Sequence, residues 1–90
     1  MAAPTIDMYT TDWCGYCERA RALLRSKGAS FREISVEGKP ELRAEMIERS
    51  GRRTVPQIFI GTHHVGGSDE LAELEAAGRL DALLAGTDGA

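Results

Sequence analysis

Two cysteines, the only two in the chain, stand in Cys14-Gly15-Tyr16-Cys17, between a strand-like alternation and a helix-like period. Residues three apart are neighbours on a helix, so a helix starting here sets both sulfurs on nearly one face. The first thiol then lies at the helix N-terminus, among unpaired N–H groups and the positive end of the dipole. That setting favours thiolate over thiol and casts Cys14 as nucleophile and Cys17 as resolving thiol. Zinc is a competing use of the same spacing, but a structural zinc takes four ligands. His63 and His64 are the only histidines, and neighbours in a strand point to opposite faces, so both cannot easily meet one ion. A purely structural disulfide is the other alternative. A bridge over two residues closes so small a loop that it constrains little unfolded-chain entropy.

The rest of the chain frames that pair. Thr5-Ile6-Asp7-Met8-Tyr9 alternates as a strand. From Tyr16 to Lys27, Cys17, Ala20, Leu23 and Leu24 recur at helical spacing, and Gly28 is placed to end the helix. Phe31 to Val36 reads as a second strand, and Pro40 to Arg49 as a helix with Leu42, Met46 and Ile47 inward before Gly51. Gln57 to Ile60 is a third strand, Gly61-Thr62 a turn, and His63 to Val65 a short fourth strand. Ser68 is placed to cap a helix from about Asp69 to Ala77 with Leu71 and Leu74 inward; Leu80, Leu83 and Leu84 form a last short helix. The order is β-α-β-α-β-β-α. The long crossover makes the first two strands parallel, and the tight turn makes the last two antiparallel. The expected fold class is α/β: a mixed four-stranded sheet flanked by helices.

The 90 residues fit one domain spanning positions 1–90. A formal net charge of −3 gives no general attraction to nucleic acid or to a membrane surface. No stretch has the length of a membrane helix, and Met1-Ala2-Ala3-Pro4 lacks a charged and apolar leader. A cytoplasmic location is therefore expected, where a cysteine pair is more often catalytic or metal-bound than structural. Residues 86–90 read as a frayed tail.

Three segments in this order resemble the glutaredoxins, nearly end to end from Thr5 to Leu84. They are Tyr9-Thr10 leading into Cys14-Gly15-Tyr16-Cys17, then Arg52 to Ile60 around Thr54-Val55-Pro56, then Gly66-Gly67-Ser68-Asp69-Glu70-Leu71. C-x-x-C at a strand–helix junction is also the redox signature of the thioredoxin fold. The resemblance implies a glutathione-dependent thiol–disulfide oxidoreductase that reduces glutathionylated proteins and protein disulfides through Cys14 and Cys17. It implies a cis Val55-Pro56 bond facing the dithiol, with the Val55 main chain pairing with glutathione as a short strand. It places the γ-glutamyl carboxylate on main-chain N–H groups of Gly67, Ser68 and Asp69, and the ammonium on the Asp69 carboxylate. A helix N-terminus after two glycines suits such an anion. Tyr16 flanks the bound sulfur. For the glycyl carboxylate Arg53 is the first candidate, beside Thr54, and Arg43 the second.

The chain departs from the pattern at three places. Gly15 replaces a usual proline, Thr11 a usual lysine, and Ser68 a cysteine found in some relatives. The first two changes make the Cys14 thiolate less favourable. CGYC also opens a second reading: a [2Fe–2S] carrier, bridged as a homodimer in which each Cys14 and two glutathiones supply the four thiolates. Oxidoreductase work needs only a monomer. A third reading, a thioredoxin-like reductase served by a flavoprotein, rests on Trp13 alone.

Overall fold

The computed structural model describes residues 4–86. Met1 to Ala3 and the tail expected beyond Gly86 lie outside the described residues. The order is β1 (Ile6–Thr10), α1 (Gly15–Ser26), β2 (Arg32–Ser35), α2 (Pro40–Ser50), β3 (Gln57–Ile60), β4 (His63–Gly66), α3 (Ser68–Ala76) and α4 (Leu80–Leu84). The strands form one sheet in the order β2-β1-β3-β4. β1 and β2 are parallel, as a crossover through α1 requires. β3 runs antiparallel to both β1 and β4, and a register shift between Ile58 and Phe59 interrupts the β3–β4 ladder.

Alternation along the two central strands builds two cores. Ile6, Met8, Ile58 and Ile60 pack with Ala20 and Leu24 of α1, Leu71 of α3, and Leu80 and Leu83 of α4. Tyr9 and Phe59 take the opposite face with Val36 and Met46, edged by Leu42 and Ile47 of α2. Every residue of β1 is therefore buried, including Asp7. Burying a carboxylate is costly unless it is paired. Asp7 accepts from Arg32 at 3.1 and 3.2 Å and from Arg49 at 3.3 Å. Arg49 also donates to the Tyr9 hydroxyl at 2.8 Å, lies 4.1 Å over the Phe59 ring, and so binds α2 to the sheet. Tyr9 in turn donates to Glu45.

The helix ends follow local chemistry. Pro40 opens α2, and Gly51 closes it at φ 72°, a left-handed conformation that glycine adopts without a Cβ penalty. One expected cap is corrected: α3 begins at Ser68 itself, and Gly67 occupies the cap position. A buried Ser68 in the first turn cannot cap, and the Glu70 carboxylate instead accepts from the Gly67 N–H at 2.7 Å. Among the described residues no helix is long and apolar enough to cross a membrane.

Candidate active site

α1 starts where the extended backbone of Cys14 (φ −142°, ψ 109°) meets Gly15. The Cys14 sulfur caps the helix by accepting from the Cys17 N–H at 3.2 Å. One of the orphan donors at the helix start is thereby aimed at the sulfur. Both cysteines are free thiols, but they differ in access: Cys14 is half-buried, and Cys17 is 0% exposed beneath the first helical turn. Burial, aided by the bond network to Cys14, pushes the Cys17 thiol up to about 12. At neutral pH Cys17 therefore keeps its proton until a reaction removes it.

Across from the dithiol, the Val55-Pro56 bond is cis, as the resemblance implied. The Cys14 thiol points at the Val55 carbonyl, with sulfur and oxygen 3.8 Å apart. Val55 also lines a cavity of about 210 Å³, together with Tyr16, Arg52, Thr54, Pro56, Gly67, Ser68, Asp69 and Glu70; neither cysteine is in that lining. Seven of these nine lining residues are the ones that the sequence singles out beside the cysteines. Tyr16 is 56% exposed with Arg19 5.5 Å from its ring centroid, so it forms the outer wall rather than the core. Gly66 holds φ at 110°, and a Cβ there would stand 2.6 Å from the Glu70 carboxylate, so the turn into α3 admits only glycine.

Four placements differ from the sequence reading or add to it. Arg53 is exposed and outside the lining, while its neighbour Arg52 is part of it. Arg43 donates to the Arg53 carbonyl at 3.5 Å and also lies outside the lining. Arg52 is paired with Glu70 at 3.1 Å. The Gly67 N–H, expected to meet an anionic ligand, is already held by Glu70; helix geometry leaves the amides of Ser68 and Asp69 without intrahelical acceptors. Glu70 and Arg52 were missed. The spacing Gly67-Ser68-Asp69-Glu70, an acid three residues after the cap, was the available signal for Glu70. Adjacent arginines in a loop carry no comparable signal. The bond from Gly67 also holds the Glu70 carboxyl below the usual carboxylate range, with Arg52 contributing.

The histidines do not converge. His63 is exposed, whereas His64 stacks on Phe59 at 4.8 Å and meets the Gln57 side chain at 2.8 Å. Among the described residues no three His, Cys, Asp or Glu side chains are grouped to hold a metal ion.

A half-exposed thiol capping a helix over a buried partner thiol, on a mixed sheet flanked by helices, defines a thiol–disulfide oxidoreductase of the thioredoxin fold. The glutaredoxin family model matches residues 6–65. A glutaredoxin of Pseudomonas aeruginosa is 59% identical over 81 residues, which cover 90% of this chain and 96% of that one. The buckwheat glutaredoxin–glutathione complex superposes with a TM-score of 0.85 at 30% identity, covering 93% of this chain and 79% of that one. A solved structure concerned with metal binding of glutaredoxins is 59% identical, with a TM-score of 0.72 and coverage of 92% and 90%. The chain belongs to the glutaredoxin family.

Proposed function

We propose that this chain is a glutathione-dependent oxidoreductase that works as a single domain and a monomer on glutathionylated proteins and protein disulfides in the cytoplasm. The observation that carries the reading is the Cys14 sulfur, held by the Cys17 N–H at 3.2 Å and facing Val55, which itself lines the cavity that runs to Ser68 and Asp69. The glutathione bound in the buckwheat relative supports the same occupant here. Glutathione lies along Val55, its γ-glutamyl carboxylate on the amides of Ser68 and Asp69, its ammonium on Asp69, and its glycyl end toward Arg52 and Thr54.

The chemistry is two exchanges. Cys14 thiolate attacks the glutathione sulfur of a mixed disulfide; that S–S bond breaks, a Cys14–glutathione bond forms, and the protein thiolate leaves and takes a proton. A second glutathione thiolate then attacks the bound sulfur, releasing glutathione disulfide and restoring Cys14. With a protein disulfide, Cys14 thiolate attacks one sulfur, forming a Cys14–substrate disulfide and releasing the first substrate thiolate, which takes a proton; Cys17 then gives up its proton and attacks the sulfur of Cys14. The substrate thiolate leaves, and Cys14–Cys17 remains oxidised until glutathione reduces it. Turnover of a glutathionylated peptide, coupled through glutathione reductase to NADPH, tests this. Cys14→Ser is expected to abolish it and Cys17→Ser to preserve much of it; activity in both variants would overturn the roles.

A second reading, the [2Fe–2S] carrier, is favoured by the division between the thiols. Only Cys14 is accessible, so one chain offers one ligand, and a cluster's four thiolates fit two chains with two glutathiones. Bound, such a cluster would occupy Cys14 and withdraw it from exchange. Anaerobic reconstitution with glutathione, iron and sulfide is expected to yield a coloured dimer; a colourless monomer removes the reading.

A further inference from the structure

Residues 52–56, between α2 and β3, belong to no helix or strand, yet this segment must present Val55 to Cys14. Side chains hold it. Ser50 Oγ accepts from the Arg52 N–H at 3.0 Å, while its own proton goes back to the Met46 carbonyl at 2.7 Å and so anchors the segment to the end of α2. Gln57, 0% exposed at the start of β3, donates from Nε2 to the Thr54 carbonyl at 3.0 Å and the Thr54 hydroxyl at 3.1 Å. A carbonyl can only accept, so the amide nitrogen of Gln57 must face Thr54, and Oε1 must face outward. Oε1 lies 2.8 Å from His64 Nε2, which therefore carries the proton. His64 is itself fixed by its stack on Phe59.

The consequence lies in the next peptide unit. The Thr54 carbonyl and the Val55 N–H share one plane, and this bond is trans, since Val55-Pro56 is the cis bond recorded. In a trans peptide the two groups point oppositely. Drawing the Thr54 carbonyl toward buried Gln57 turns the Val55 N–H the opposite way, away from Gln57, in a segment whose Thr54 and Val55 both line the cavity. We propose that Gln57 and His64 are positioning residues: a His64–Gln57–Thr54 relay, centred on buried Gln57, that aims the Val55 N–H at the incoming peptide carbonyl. The proposal rests on the reading that glutathione docks along Val55. Neither residue lines the cavity.

Gln57→Glu puts a carboxylate against the Thr54 carbonyl and removes both donated bonds. With a glutathionylated peptide as substrate, KM is expected to rise about five- to tenfold, as for loss of one good hydrogen bond. The turnover number is expected to change less than about twofold, the pattern for lost uniform binding. Alkylation of Cys14 by iodoacetamide is expected to keep its wild-type rate, which a general disturbance of the dithiol would not. A KM equal to wild type, or a higher KM accompanied by slower alkylation, overturns the relay. His64→Phe keeps the ring stack and deletes the donor; it decides the case in the same direction if Gln57→Glu does not fold. Wild-type protein that fails to turn over the peptide overturns the glutathione reading itself, a result distinct from either variant's.

Discussion

Cys17 and Cys14 are chemically alike and separated by two residues, yet their surroundings differ sharply. Cys14 caps the helix with its sulfur, and Cys17 lies under the first turn, where charge is unwelcome. The folded protein therefore holds the Cys17 proton more tightly than the unfolded chain does. A group raised in the folded state contributes stability below its ordinary value of 9.0 and loses it as pH climbs toward about 12. Reduced wild-type protein is accordingly expected to lose stability through this alkaline window more steeply than Cys17→Ala, measured by urea unfolding at a series of pH values. The placement of Cys14 at the start of α1 and of Cys17 three residues on was legible in the local pattern, because helix geometry is local. Arg52 was not legible as the cavity's arginine. Arg52 and Arg53 are equivalent as residues, and only the path of an irregular loop decides which one turns toward α3.

Among the elements, the start of α1 bears most directly on the chemistry. Gly15 sits at its first position with open space where a Cβ would be, and Cys14 has the extended backbone that a residue before proline prefers. The bond from the Cys17 N–H to sulfur does not involve the Gly15 amide. Gly15→Pro is therefore expected to fold and to gain about 0.5–1 kcal/mol by restricting the unfolded chain, seen as a raised urea midpoint at unchanged slope. An unchanged or lowered midpoint would show that the turn needs glycine's freedom. The strands and helices were legible as elements because each carries its own period and its own stop. The α3 cap was misplaced by one residue. Serine is the better cap by propensity, but the positive φ of Gly66 lets the chain turn one residue earlier, and the Gly67 N–H then donates to Glu70.

Across the whole molecule, β1 and β3 are shared by both cores. Ile6, Met8, Ile58 and Ile60 belong to one, and Tyr9 and Phe59 to the other, so neither layer of helices can leave without stripping the same two strands. Leu24→Ala on one face and Met46→Ala on the other are each expected to cost about 2–5 kcal/mol. Both are expected to lower one cooperative transition, with far-ultraviolet and near-ultraviolet circular dichroism melting together. Separate melting of the two signals in either variant would mean that the faces unfold independently. The same shared strands carry function, since β3 begins at Gln57, directly after the segment that faces Cys14. By itself the sequence determined the dithiol, the elements and the pairing sense of the first and last strand pairs, since short-range periodicity and crossover length suffice for these. The tertiary structure alone decided the antiparallel seating of β3 beside β1, the pairing of buried Asp7 with Arg32 and Arg49, the Arg52–Glu70 contact, and the His64–Gln57–Thr54 bonds. Each of these joins residues whose separation along the chain says nothing of their distance in space, and only packing both faces of one sheet brings them together.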